Sequence, residues 1–311
     1  MKIGFLYAGQ GSQVVSMGQS LYQYSPLVKE VYDQYPDLKQ LSFQGPLEEL
    51  SKTENTQPCM VLLATTITDL LKQNEINPDY VAGLSLGEYS SLYCAEVFDR
   101  QTVVDIVRFR GQAMKDAVID IDSKMAAVMS MERSTLEKIC KQASNEGVVS
   151  IANYNCPGQL VIAGESQAVE KASELALKQG ARRVIPLNTS GPFHTVLLKE
   201  ASLKLKEQFK TITFNPMKVP VVFNCLGSEK GNQQIPYLLE KQVMSPVYFE
   251  DSIRYMLSQG VDTLIEIGPG KVLSGFVRKI DKSIKTYQVE DEESLKKVCL
   301  ALKGEDYEIK K

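Results

Sequence analysis

The sequence predicts an α/β protein whose mostly parallel sheet is covered by helices on both faces and interrupted by a smaller ferredoxin-like domain. Three observations carry that expectation. Strand-like apolar runs alternate with helix-periodic stretches at both ends of the chain. Between Ser123 and Thr189 the order changes to β-α-β-β-α-β, the ferredoxin-like pattern. Finally, Gly83-Leu84-Ser85-Leu86-Gly87 lies between the apolar run Tyr80-Val81-Ala82 and a helix-like segment from Glu88. That is the strand–turn–helix setting of a nucleophile elbow, though an ordinary turn could carry the same letters.

Taken in order, Lys2–Tyr7 reads as the first strand and runs into Ala8-Gly9-Gln10-Gly11-Ser12-Gln13. This glycine-rich turn is not a dinucleotide fingerprint, because the third glycine position is Val14, and it lacks the Gly-Lys-Ser/Thr of a phosphate loop. By itself it reads as a plain turn with backbone donors beside a helix start. From Val14 to Asn77 the apolar spacing is mostly helical, and Gln57-Pro58 is expected to open a helix over Cys59–Leu71, with proline in its first turn. The elbow follows, and Ser85 would stand at the tip of its turn. The Leu86 amide would then lie at a helix N-terminus, where developing negative charge is favoured.

Asp99–Val118 is the next expected helix, capped by Asp99. Val103, Ile106, Val107, Ala113, Met114 and Ala117 mark its inward stripe, and Arg110 falls on it. An inward guanidinium needs an anionic or carbonyl partner. A structural carboxylate is the commoner one; a substrate carboxylate clamped beside Ser85 is the other. In the ferredoxin-like stretch, Ser134-Thr135-Leu136-Glu137 has capping-box spacing, Ser166 is expected to cap a second helix, and Asn155-Cys156-Pro157-Gly158 reads as a hairpin turn. Ser190-Gly191-Pro192-Phe193-His194-Thr195 then returns the chain to the large domain, with boundaries expected at 1–123 and 196–311 around an insert of 124–195. His194 is the only histidine, so a histidine-activated Ser85 can have no other imidazole as its base. Helix Thr195–Thr211, strand Val219–Phe223, helix Glu250–Ser258, strand Asp262–Ile267, helix Lys271–Ile280 and strand Lys285–Val289 complete the alternation, and the charged tail Gly304–Lys311 reads as loose.

Composition narrows the function. A net charge of −3 gives no whole-chain attraction to nucleic acid or to an anionic membrane. No apolar stretch approaches the length of a membrane span, and the N-terminus lacks a signal-peptide layout. Six scattered cysteines without a C-x-x-C pair suit a reducing cytosol, and one histidine leaves little for a metal site. A cytoplasmic protein is expected.

The stretches Gly9–Gln13, Thr56-Gln57-Pro58, Gly83–Tyr89, Arg110-Gly111, Ser190–His194 and Glu266–Leu273, in this order, resemble the malonyl-CoA:acyl-carrier-protein transacylase family almost end to end. The resemblance implies an α/β-hydrolase-like large domain with the ferredoxin-like insert, and a cleft between them. It implies Ser85 as the acylated nucleophile, His194 as its base, the Gln10 and Leu86 amides as the oxyanion hole, and Arg110 as the ligand of the malonyl carboxylate. The substrates implied are malonyl-CoA, a coenzyme A thioester, and an acyl carrier protein, and the implied chemistry requires no metal or redox cofactor; a monomer is expected, with nothing in the sequence fixing the oligomeric state. Three positions depart from the family pattern: Tyr7-Ala8 where Phe-Pro is frequent, Leu84 where His often precedes the nucleophile, and Tyr248 where Gln commonly follows Pro-Val. In the family this last segment orients the histidine through a backbone carbonyl, which Tyr248 could supply. Two rival readings share the elbow. A serine esterase or thioesterase usually places its histidine late in the chain, in the order Ser…Asp/Glu…His, and has no use for Arg110. A noncatalytic carrier-docking subunit would have no use for Ser85, His194 and Arg110 together.

Overall fold

The computed structural model describes residues 1–311. Its strands are β1 (Ile3–Tyr7), β2 (Tyr80–Gly83), β3 (Ser123–Met129), β4 (Val149–Cys156), β5 (Gln159–Glu165), β6 (Arg183–Leu187), β7 (Val221–Val222), β8 (Thr263–Ile267) and β9 (Lys285–Val289). They form two sheets, in two compact units.

The first unit comprises residues 1–111, 214–222 and 256–311. Its sheet has the order β7-β2-β1-β8-β9 with every pairing parallel. All positions of β1, β2 and β8 are buried, as a parallel sheet covered on both faces requires, and their sequences are accordingly near-continuous apolar runs. Register aligns Tyr7 with Gly83 on one side and Ile267 on the other, so β1, β2 and β8 end together. The catalytic edge of an open parallel sheet is this carboxyl edge. The long helix Thr53–Gln73 begins before the expected Cys59, so Pro58 lies inside it rather than in its first turn. Periodicity could not place that start, because the polar turn Thr53–Gln57 gives no apolar signal, yet Thr53, Thr56 and Gln57 are all buried.

The C-terminal tail is docked rather than loose. Buried Asn74 donates from Nδ2 to the Lys310 carbonyl at 2.9 Å and accepts from the Lys310 amide at 2.8 Å, while the Tyr307 hydroxyl donates to the Asn74 carbonyl at 3.1 Å. An asparagine amide copies a backbone pair, which charge pattern alone does not reveal. Asn74→Ala is expected to lower stability by about 1–3 kcal/mol, the range for orphaned buried polar groups. Amide exchange should rise across residues 305–311 and otherwise only at the end of helix Thr53–Gln73, where Asn74 Nδ2 also donates to the Leu70 carbonyl at 2.8 Å; an unchanged tail would contradict the docking.

The second unit comprises residues 112–213 and 223–255. Its antiparallel sheet has the order β4-β5-β3-β6, the ferredoxin-like arrangement. Helices Arg133–Ala143 and Ser166–Lys178 bury Leu136, Ile139, Ala143, Val169, Ala172 and Ala176 against Val128, Ile151 and Ile162. Both expected caps are displaced. The residues at the N-caps are Glu132 and Glu165, and Ser166 instead donates to Asp122 Oδ1 at 2.6 Å. The sheet occupies Ser123–Leu187, within the expected insert apart from one residue, but the compact unit is wider. The chain beyond Phe223 returns to it: Val247 pairs in parallel with Asn153 on the open edge of β4.

Candidate active site

The elbow is built by exclusion of side-chain volume. A Cβ on Gly83 would fall 2.5 Å from the Glu88 nitrogen and closer still to the Gly87 carbonyl. A Cβ on Gly87 would fall 2.8 Å from the Tyr7 carbonyl carbon, with its oxygen nearer. Strand end, turn and helix Gly87–Cys94 therefore approach so closely that neither flanking position admits a side chain. Either glycine changed to alanine should lose about 3 kcal/mol or more of stability, since backbone, not a flexible side chain, must move. A melting temperature within a degree or two of the parent would rule this packing out.

Between them Ser85 takes φ 52°, the left-handed region, with no glycine to ease it. The half-buried serine sits at the tip of the turn, closed behind it by Gly87 N–H to the Leu84 carbonyl at 3.0 Å and Glu88 N–H to the Ser85 carbonyl at 3.1 Å. Leu86 is buried at the N-cap of the helix, among the amides that have no intrahelical acceptor. The Gln10 turn packs on the elbow: a Cβ on Gly9 would meet the Leu84 carbonyl oxygen at 2.5 Å. The Gln10 side chain is turned away to Thr53, its Nε2 donating to Oγ1 at 3.0 Å, so what the turn can offer the serine is backbone.

Arg110 is the largest fully buried side chain, 1% exposed, on helix Arg100–Asp116, whose N-terminus Asp99 caps through the Thr102 amide at 2.7 Å. Its Nη1 donates to Gln57 Oε1 at 2.9 Å and its Nη2 reaches the Ser85 Oγ at 3.4 Å, a long hydrogen bond. The guanidinium lies 5.3 Å from the centre of the Tyr89 ring. Burial lowers the Arg110 pKa, opposed by Tyr89 and the buried carboxylate of Glu88, and arginine's ordinary value is high enough that it stays cationic. Gln57, Glu88 and Tyr89 complete this site, and sequence reasoning assigned them no role. The signal available was that Gln57 and the pair Glu88-Tyr89 fall inside two of the stretches that carry the family resemblance.

Ser85, Leu86, the Gln10 turn and Arg110 thus converge within the first unit. His194 is built into the second. It is 4% exposed, takes φ 62°, and follows buried Phe193. Its Nδ1 lies 3.0 Å from the Gln242 carbonyl oxygen and 3.1 Å from that of Ser245. Two acceptors facing one ring nitrogen require that nitrogen to carry the proton, which makes Nε2 the basic atom of the neutral ring. The orienting carbonyls therefore belong to Gln242 and Ser245, not to Tyr248, whose ring stacks on Tyr154. Asn155, expected in a hairpin turn, is instead on β4, buried, with an Oδ1 that no protein group satisfies; it is a candidate ligand contact.

The model of the acyl transferase domain matches residues 4–299. The chain belongs to this family. Among its acyl transferase relatives, a malonyl CoA-acyl carrier protein transacylase of Bacillus subtilis is 42% identical over 98% of this chain and 98% of its own. The Escherichia coli protein of the same name is 40% identical over 90% and 93%. A crystal structure of MCAT from Streptococcus pneumoniae superposes with a TM-score of 0.93 at 43% identity, covering 96% of this chain and all of the other. A malonyl-transacylase solved with a type II PKS acyl-carrier protein gives 0.93 at 34% identity, over 97% and 100%. The α/β architecture with a parallel sheet and a separate antiparallel sheet is that of the family.

Proposed function

We propose that the chain transfers a malonyl group from coenzyme A to the phosphopantetheine thiol of an acyl carrier protein, through a malonyl ester on Ser85. In the first half-reaction His194 Nε2 takes the Ser85 proton as Oγ attacks the thioester carbonyl. The tetrahedral oxyanion is held by the Gln10 and Leu86 amides, donors worth on the order of 10²–10³ in rate each. Collapse expels the coenzyme A sulfur, which takes the proton from His194 and leaves as the thiol. In the second half-reaction the carrier thiol gives its proton to His194 and attacks the ester, and Ser85 recovers the proton as it departs. Arg110 holds the malonyl carboxylate throughout, its planar fork matching a planar anion.

The observation that carries this reading is the pairing in one pocket of a serine at positive φ with a fully buried guanidinium whose Nη2 is aimed at its Oγ. A cation sequestered there suits an acyl group bearing its own negative charge and has no purpose in hydrolysing a neutral ester. The chemistry calls on no metal or redox cofactor. A monomer in the cytoplasm belongs to the proposal. All six cysteines are free and buried, which suits a reducing compartment, and no helix is long and apolar enough to cross a membrane.

The test is intact-mass analysis after mixing with malonyl-CoA in the absence of carrier. One malonyl group per chain, released on adding a carrier bearing phosphopantetheine, is the expected result. Continuous release of free malonate without carrier would make the protein a hydrolase, and no mass gain would leave it a docking subunit.

A further inference from the structure

Of the two carbonyls that fix the His194 tautomer, that of Gln242 closes helix Ile235–Gln242, and that of Ser245 sits on a segment with no regular structure of its own between this helix and helix Phe249–Ser258. A loop of that kind holds an imidazole to a few tenths of an ångström only if something else holds the loop. Here the second unit does so at three successive places. Val247 is laddered onto β4, its N–H donating to the Ala152 carbonyl at 2.8 Å and its carbonyl accepting from the Tyr154 amide at 2.9 Å. The Tyr248 ring stacks on the Tyr154 ring, centres 4.9 Å apart and planes 15° from parallel. The Arg133 guanidinium lies 4.9 Å from the centre of the same Tyr154 ring and reaches onward to the two acidic residues that open helix Phe249–Ser258, into which the segment runs. Its Nη2 is 3.0 Å from Glu250, and its Nη1 donates to both oxygens of Asp251 at 3.0 and 2.8 Å. Tyr154 is itself fixed, its hydroxyl donating to Glu137 Oε1 at 3.1 Å.

We propose that the Tyr154–Tyr248 stack, locked by Arg133, is a positioning device for His194: it sets the place of the Ser245 carbonyl beside the helix-borne Gln242 carbonyl, and so keeps the ring proton on Nδ1 and the lone pair on Nε2. The residues act through backbone and touch no reacting atom. The ladder at Val247 and the Tyr248 N–H bond to the Asn224 carbonyl at 2.8 Å fix the backbone on the sheet edge; the stack and ion pairs hold the side chains that keep it from rotating and carrying the Ser245 carbonyl off the imidazole. The importance of the device for the reaction rests on His194 being the base, but its effect on the ring does not.

The chain's single histidine makes the test direct, because every imidazole signal belongs to His194. In the full-length protein labelled with nitrogen-15, one tautomer and one slowly exchanging Nδ1–H resonance are expected. Tyr248→Ala should broaden or lose that resonance, bring tautomer mixing, and slow malonylation of Ser85 about tenfold, the scale of a sub-ångström misplacement of a catalytic group. Tyr248→Phe should restore both, since the ring and not the hydroxyl makes the stack. If circular dichroism shows Tyr248→Ala unfolded, Tyr248→Leu keeps apolar bulk without the ring and should give the same loss. Folded Tyr248→Leu and Tyr154→Leu proteins with the wild-type Nδ1–H signal and tautomer would overturn the proposal. Failure of the wild-type protein to take up malonyl would overturn the reaction instead, with the imidazole signal still deciding the stack.

Discussion

Ser85→Ala is expected to take up no malonyl group from malonyl-CoA and to lose transfer to the carrier by a factor on the order of 10⁶, the loss recorded when a serine nucleophile is deleted with its surroundings intact. The remaining machinery has nothing to acylate, so no burst of free coenzyme A should appear even at high enzyme concentration. The same site makes a second statement about stability. Ser85 holds φ 52°, a region that disfavours a residue with a Cβ by roughly 1–2 kcal/mol. Backbone strain of this kind persists where the surroundings over-determine it, and here they are the two glycines through which Gly83 touches the helix start and Gly87 touches Tyr7. Ser85→Gly should therefore be as inactive as the alanine variant while melting at or above the wild-type temperature, the relief of strain outweighing the added freedom of the unfolded chain. A glycine variant clearly less stable than the alanine variant would mean that the turn is not strained at this residue. Residual acylation in either variant, located by peptide mapping, would move the nucleophile elsewhere.

Those two glycines also explain why the elbow was legible before any coordinates. A turn this tight leaves a mark in the alphabet, because only one residue type lacks a Cβ. The parallel sheet was legible for a similar reason: strands buried on both faces, such as Phe5–Tyr7 and Leu264–Ile267, must be apolar at nearly every position. Features that depend on where an atom points left weaker marks. The capping serines were misplaced because Ser134 and Ser166 carry the right side chains at the wrong turn of the backbone, and a glutamate opens each helix instead. The tail looked loose because its charge hides one asparagine amide 236 positions earlier that reads two atoms of Lys310. The tautomer of His194 depends on two backbone carbonyls, groups that every residue has, so no choice of letter at Gln242 or Ser245 announces them. Likewise Arg110 declared itself inward by helical spacing, but its choice between a structural and a substrate partner hung on Gln57, 53 positions away on another helix.

That choice can be forced by removing the guanidinium. Arg110→Ala is expected to lower malonyl transfer by on the order of 10²–10³-fold, the roughly 2.7–4 kcal/mol that a preorganised donor supplies in other acyl-transfer sites. Acetyl transfer from acetyl-CoA, by contrast, should persist or rise. The asymmetry follows from desolvation. A malonyl carboxylate entering a site from which water is excluded needs a cation and a bidentate geometry. An acetyl methyl entering the wild-type site offers the guanidinium no carboxylate in return for the water it displaces, and alanine removes the mismatch. The variant also carries a stability cost that must be separated from the catalytic one. Arg110 and Glu88 are both buried, and the Glu88 carboxylate favours the charged guanidinium. Taking away the cation removes a favourable charge from beside the buried Glu88 carboxylate, and loss of one member of such a buried pair typically destabilises by about 3–5 kcal/mol. Adding Glu88→Gln should recover much of that loss without restoring malonyl transfer, because a neutral amide needs no counter-charge but cannot grip a carboxylate. Arg110→Lys keeps the charge and loses the fork, so it should hold the fold and fall between wild type and alanine in malonyl selectivity. The ratio of malonyl to acetyl kcat/KM, measured on protein shown to be folded, is the deciding quantity. Were both donors to fall in equal proportion, and the Arg110→Ala, Glu88→Gln pair to restore both equally, Arg110 would be a structural counter-ion for Glu88 and the carboxylate clamp would have to be sought elsewhere.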